Sequence, residues 1–260
     1  MMNLIDTHSH LFLEEFSCDL PQVIARAKNI GVSHVFMPNI DSTTIDSLLS
    51  VCEAYKGYCF PMIGLHPTSV NENFEKELEV VFRELNSSNK YIGVGEIGID
   101  LYWDQSYLKE QQIVFERQIN WALEYDLPIV IHCREAFDYI YKIMEPYKNT
   151  SLRGVFHSFT GTIEEAVRIL EFSDFLIGIN GIVTFKKATL PDVLKEVPLK
   201  NIVLETDSPY LAPTPYRGKR NESSFIKSIL MKVAEIYQIS PEEAGDRTSQ
   251  NALKVFGMLK

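Results

Sequence analysis

Tyr91-Ile92-Gly93-Val94-Gly95-Glu96-Ile97-Gly98-Ile99 is a nearly unbroken apolar run with one carboxylate inside it. A helical pattern from Tyr107 to Tyr125 follows, and Leu127-Pro128-Ile129-Val130-Ile131 then repeats the apolar run. A short strand that is apolar on both faces needs cover on both, which is the condition of a parallel sheet flanked by helices. The stretch reads as strand, helix, strand, and the same unit recurs in both directions along the chain.

Toward the N-terminus, Leu4-Ile5 precedes a helical pattern from Leu20 to Asn29, ended by Gly31. Ser33 to Pro38 is a second strand. After it, Asp41 and Ser42 are helix-capping types, and Ile45, Leu48, Leu49 and Cys52 fall at helical spacing. Cys59 to Leu65 is a third strand, followed by a helix from Phe74 to Leu85. Toward the C-terminus, helices over Glu135–Met144, Ile163–Phe172 and Leu190–Glu196 alternate with strands over Gly154–Phe156, Phe175–Ile179 and Asn201–Leu204. Two helices close the chain, Glu222–Tyr237 and Glu242–Phe256, the latter behind Pro241 at a first-turn position. Eight strand–helix units in 260 residues predict a single (β/α)8 TIM barrel over residues 1–260, rather than an open doubly wound sheet. No internal repeat and no Gly- or Ser-rich linker divides it. Pro209 to Asn221 is long and irregular, as functional loops often are.

With 45% hydrophobic and 23% charged residues, the composition is that of a globular chain with a large core. A formal charge of −10 argues against nucleic-acid binding by a basic surface, though bound divalent cations supply positive charge that the count omits. The four Cys form no CxxC, and the chain is too large to need disulfide staples, so free thiols are expected. No apolar run approaches the about 18–20 residues that span a bilayer. The first residues, Met-Met-Asn-Leu-Ile-Asp, lack the basic and apolar segments of a signal peptide. The expectation is a soluble cytoplasmic protein with no membrane contact and no obligatory protein partner.

The polar residues fall on this frame in one pattern. Asp6-Thr7-His8-Ser9-His10 follows the first strand, and alternation turns His8 and His10 to one side. His66 follows the third strand, Glu96 lies near the end of the fourth, and His132 and His157 directly follow the fifth and sixth. Asp207 follows the eighth. Five of the six His therefore gather, with two carboxylates, at the strand ends where barrel enzymes build their active sites. Four imidazoles and two carboxylates suit two divalent ions, with zinc, magnesium and manganese all admissible. From barrel order, His8, His10 and Asp207 hold one ion, His132 and His157 the other, and Glu96 bridges them. Such ions acidify water from a pKa of about 15.7 to roughly 7, and Asp207 can accept the proton. No Ser or Cys nucleophile is then required. Cys133, beside His132, points to the opposite face and reads as a buried structural thiol, and His34 reads as structural.

Several segments carry a family resemblance. They are Ile5-Asp6-Thr7-His8-Ser9-His10, Ile63-Gly64-Leu65-His66-Pro67, Val94-Gly95-Glu96-Ile97-Gly98-Ile99-Asp100 and Pro128-Ile129-Val130-Ile131-His132-Cys133-Arg134. With them go His157-Ser158-Phe159-Thr160-Gly161, the run Leu204 to Pro213, and Arg217-Gly218-Lys219-Arg220-Asn221-Glu222. Together they resemble the TatD-type metal-dependent deoxyribonucleases of the amidohydrolase superfamily. The resemblance implies a metal-dependent nuclease acting on DNA ends, with Glu96 at the position of the family's bridging Glu. The family's loop usually continues Asn-Glu-Pro, where this chain has Asn221-Glu222-Ser223. That departure leaves the ligands untouched and bears on the shape of the substrate rim. His66 and Arg217, on rim loops, are candidates to hold a substrate phosphate. The alternatives are packing of His66 against Pro67 and a solvated charge at Arg217. Arg134 is expected to pair with a carboxylate. Tyr102 and Trp103 either stack on a base or pack within their loop. The same centre could instead serve a hydrolase of another ester or amide, or belong to a metal-binding scaffold without catalysis.

Overall fold

Residues 3–259 are described by a computed structural model. Its eight strands are β1 (Leu4–Asp6), β2 (Val32–Pro38), β3 (Cys59–Met62), β4 (Val94–Asp100), β5 (Ile129–Arg134), β6 (Gly154–Phe156), β7 (Phe175–Ile179) and β8 (Ile202–Leu204). Helices follow in alternation: α1 (Leu20–Asn29), α2 (Ile45–Ala54), α3 (Phe74–Leu85), α4 (Leu108–Glu124), α5 (Phe137–Met144), α6 (Ile163–Leu170) and α7 (Leu190–Leu194). After β8 come α8 (Ile226–Tyr237) and α9 (Pro241–Val255). The helix starts follow local chemistry. Thr162 and Glu165 cap α6 reciprocally, and Ser240 caps α9 ahead of Pro241.

Every ladder is parallel. β1-β2-β3 form one run and β4-β5-β6-β7-β8 another. Two bridges join the runs into a ring, Ile63 with Val94 and Ser9 with Ser208. Backbone hydrogen bonds reinforce both seams. Gly95 N donates to Ile63 O at 2.9 Å, Thr7 N to Leu204 O at 3.1 Å, and Asp207 N to His8 O at 2.9 Å. Asp6 strengthens the second seam: its carboxylate accepts from Thr206 N at 2.8 Å and Thr206 Oγ1 at 2.7 Å. The result is the expected (β/α)8 barrel.

Alternation along the strands separates two apolar layers. Ile5, Phe36, Met62, Val130, Val155, Leu176 and Val203 pack together inside the ring, and Val255 and Phe256 at the end of α9 close on them. Their strand neighbours, such as Ile129, Ile131, Phe156, Ile177, Ile202 and Leu204, pack outward against the helices. Two steps beyond Val130, Val155 and Val203 on the same face stand His132, His157 and Glu205. The polar layer of the barrel is thus the continuation of its apolar one.

Several strand limits differ from expectation, and the C-terminal ends of β3, β4 and β5 bear on the site. β3 stops at Met62 rather than Leu65 because side chains replace its neighbour strand. Gln118 of α4 accepts from Leu65 N at 2.8 Å and donates to Leu65 O at 3.2 Å. β4 runs on to Asp100 and β5 to Arg134, paired across Gly98–His132 and Asp100–Arg134. Glu96 is therefore the third residue of β4 rather than near its end, and His132 lies inside β5. The extension needs Gly98, whose φ is +143° and whose Cβ position would lie 2.0 Å from His132 O. Among the described residues no helix is long and apolar enough to cross a membrane.

Candidate metal centre

Seven of the expected residues meet at the C-terminal mouth of the barrel, six of them the expected ligands. Glu96 is the hub. Its Oε2 lies 3.0 Å from His8 Nε2 and 3.7 Å from His10 Nε2. Its Oε1 lies 2.9 Å from His132 Nδ1, 3.2 Å from His157 Nε2 and 3.3 Å from His66 Nε2. Asp207 Oδ1 closes the first group, 3.7 Å from His10 and 3.9 Å from His8. Asp207 reaches it from a left-handed backbone position, φ +58°. The two carboxylate oxygens of Glu96 thus face two separate sets of imidazoles, one from the β1–β8 seam and one from β3, β5 and β6.

The donor set fits divalent cations. Three triads, His8–Glu96–His157, His8–His10–Asp207 and His66–Glu96–His132, each offer ligand atoms within 4.8 Å of one another. His8 Nε2 and His10 Nε2 are 3.2 Å apart, and the His8 ring stacks on His157 at 3.6 Å. Crowded, buried imidazoles repel protons. Burial holds His8 well below its ordinary range and pushes His10 down to about 4, so both present lone pairs at neutral pH. Burial alone would raise Glu96, but His157, His66 and His8 hold it well below the usual carboxylate range. Burial resists a charge on His157, yet Glu96 and Glu205 draw a proton onto it. Two carboxylates that pull a proton onto a buried ring mark a place where a cation is favoured. Burial pushes Asp207 up to about 7, against the pull of His157.

Two carboxylates that the strand-end reading did not single out orient the histidines. Asp100 Oδ2 holds His132 Nε2 at 2.7 Å, and Glu205 Oε1 holds His157 Nδ1 at 3.1 Å. Each turns the other ring nitrogen inward, as in carboxylate–histidine–metal arrangements. The alternation signal was present for Glu205, which is the inward residue two places after Val203. Gly178 on β7 makes room for it, since a Cβ there would lie 2.4 Å from Glu205 Oε2.

His66 differs from the other rings. Its Nδ1 accepts from Thr68 N at 3.1 Å. In the neutral ring the proton then sits on Nε2, which suits donation to Glu96 or to an anionic oxygen better than ligation. Arg217 is not brought to this place. Its Nη1 donates to Ala212 O at 3.0 Å and its guanidinium lies 3.8 Å from the Phe185 ring centre. Among the described residues it does not line the cavity of about 490 Å³ that opens over the cluster. That cavity is bounded by His10, His66, Trp103, Arg134, Asp207 and Tyr210, among others. Among the described residues Arg134 does not pair with a carboxylate as expected. It lies 3.7 Å from the centre of the Tyr102 ring. Burial pushes the Cys133 thiol up to about 12, which fits a structural role rather than a nucleophilic one. His34 stacks on Phe60 at 5.2 Å within the barrel wall.

The loop before α8 is held tightly despite lacking Pro after Glu222. Asn221 Nδ2 donates to Thr206 O at 2.7 Å and Tyr210 O at 2.6 Å. Glu222 accepts a two-pronged contact from Arg26 at 2.8 and 2.6 Å, and a short 3₁₀ turn, Ser223–Phe225, leads into α8.

Comparison with known proteins agrees with this geometry. An uncharacterized metal-dependent hydrolase, YabD, of Bacillus subtilis (strain 168) is 37% identical over 254 residues, covering 97% of this chain and 98% of its own length. The 3'-5' ssDNA/RNA exonuclease TatD of Yersinia pseudotuberculosis serotype O:3 (strain YPIII) is 30% identical over 262 residues, covering 98% and 100%. The crystal structure of YjjV, a TatD homolog from Escherichia coli K12, superposes with a TM-score of 0.91 at 27% identity over 98% of both chains. A family model described as TatD related DNase matches residues 5–257. The match runs from β1 into the turn after α9, and the chain belongs to this TatD-related DNase family of metal-dependent hydrolases.

Proposed function

We propose that the protein is a nuclease that cleaves phosphodiester bonds at nucleic-acid ends with two divalent ions. The supporting observation is the division of Glu96. One of its oxygens faces His8 and His10, with Asp207 beside them, and the other faces His132 and His157. In this reading His8, His10 and Asp207 would hold one ion and His132 and His157 the other, with Glu96 facing both sets. Zinc, magnesium or manganese bound there would acidify water and neutralise charge on the phosphoryl group. The chain's own groups do the rest. Asp207, whose Oδ1 lies 3.7 Å from His10 and 3.9 Å from His8, is placed to take the proton from that water. His66, with its proton directed to Nε2, donates to a phosphate oxygen. Asp100 and Glu205 keep His132 and His157 turned inward. The exonuclease name of relatives such as the Yersinia protein supports a nucleic-acid substrate. Asp207 and Glu96 are the groups on which turnover depends, and a single catalytic unit over residues 1–260 belongs to the same reading. So does a cytoplasmic setting, in which Cys18, Cys52, Cys59 and Cys133 stay as free thiols.

The test is direct. Protein loaded in turn with magnesium, manganese and zinc is incubated with end-labelled single- and double-stranded DNA, and in parallel with an aryl ester and a lactone. Trimming of the labelled strands is expected. Turnover of an ester with intact DNA in all three metals would replace the nuclease reading by that of a carboxylic-ester or amide hydrolase. Metal content tests the bridge: Glu96→Ala should no longer retain two ions per chain.

A further inference from the structure

The loop between β4 and α4 presents two large aromatic rings to solvent. Trp103 is 71% exposed and Tyr102 51% exposed. They stand at right angles, 4.9 Å apart. The guanidinium of Arg134, at the end of β5, lies over this pair, 3.7 Å from the Tyr102 ring centre and 5.5 Å from that of Trp103. Among the described residues no carboxylate pairs with its guanidinium, so its donors stay open while the Tyr102 ring holds it in place. Trp103 and Arg134 both line the cavity that opens over Glu96, His132 and Asp207.

The loop is also tied to the metal centre. Asp100 Oδ1 accepts from Tyr102 N at 3.0 Å and Trp103 N at 3.4 Å, while its Oδ2 holds His132 Nε2 at 2.7 Å. One carboxylate therefore positions both a candidate ligand and the base of the aromatic pair. A packing role alone explains the stacking of Arg134 on Tyr102. It does not explain why the indole stays in solvent at the rim of the site.

We propose that this wall binds the nucleotide next to the phosphate held at the metal centre. Trp103 stacks on its unpaired base, and Arg134 donates to its phosphate oxygens. The proposal deepens the phosphodiesterase reading and rests on it.

Two measurements on the metal-loaded protein test it. The first uses Trp121→Phe, which leaves Trp103 as the remaining one of the two Trp. Deoxyadenosine 5'-phosphate should quench its fluorescence, and deoxyribose 5-phosphate, which lacks the base, should not. Equal quenching by both, or none by either, would overturn the stacking. The second is kinetic, on a single-stranded oligonucleotide with a normal or an abasic terminal nucleotide. Trp103→Ala should raise KM for the normal strand about 10-fold, with Trp103→Phe recovering most of the loss. The abasic strand should show no difference between wild type and Trp103→Ala. Arg134→Ala should reduce the slope of log KM against log salt by about 0.7, the value for one single-strand phosphate contact, and Trp103→Ala should leave the slope unchanged. Cleavage of both strands with no effect of Trp103→Ala would refute the wall while sparing the nuclease reading. If wild type cleaves neither strand, the nuclease reading falls, and the fluorescence titration alone decides whether the indole binds a base.

Discussion

Glu205 is fully buried and shares Oε1 between His157 Nδ1 and the Ser158 amide, while its Oε2 has no hydrogen-bond partner among the described residues. A charge in that position favours an imidazole that gives its inner nitrogen to a cation. Glu205→Gln keeps the volume and an acceptor but removes the charge. Metal affinity is expected to fall about 10- to 100-fold, measured by competition with a chelator of known affinity. Unchanged affinity would show that Glu205 merely fills the space left by Gly178. At this scale the sequence was partly legible. His8, His10, His132, His157 and Asp207 announce themselves because each follows an apolar run. Glu205 follows one too, and its part emerges only when the inward face of β8 is traced beyond Val203. Arg134 and Arg217 illustrate the opposite limit. A cation's partner depends on which groups the fold brings near, and here both found aromatic rings.

Among the elements, α4 does more than cover β4. Gln111 and Gln118 lie seven residues apart, hence on one face, and both are buried. Gln118 takes both backbone groups of Leu65, and Gln111 takes those of Asp100, at 2.9 and 3.2 Å. Each amide stands in for a strand neighbour just before or at a residue of the site, His66 in one case and Asp100 in the other. Gln118→Leu would leave an N–H and a carbonyl unpaired in the interior. A loss of about 1–3 kcal/mol is expected, read from the urea midpoint with the slope unchanged. An unaltered midpoint would mean that Leu65 finds other partners. The helix itself was evident from apolar spacing. The use of its two Gln was not, because an amide on a helix looks like a solvent-facing residue until burial is known.

For the whole molecule, the ring has a chemical end and a sealed end. Phe256, 5% exposed and 4.6 Å from the Phe36 ring, closes the apolar interior opposite the candidate metal centre. Phe256→Ala should cost about 3–5 kcal/mol by denaturant unfolding, with the number of ions bound per folded chain unchanged. Loss of ions in the folded variant would show that the two ends are coupled through the barrel.

The sequence by itself determined the alternation of eight strands and their helices and the parallel arrangement. It also determined the clustering of imidazoles and carboxylates at one end. These follow from local periodicity and chain order, which no distant contact can change. Only the tertiary structure decided that Asp100 and Glu205 orient His132 and His157, that Gln111 and Gln118 take the place of strand neighbours, and that Trp103 and Arg134 line the cavity over Glu96 while Arg217 does not. Those are distances between residues far apart in the chain, set by how the ring closes and by which neighbours fill each buried position.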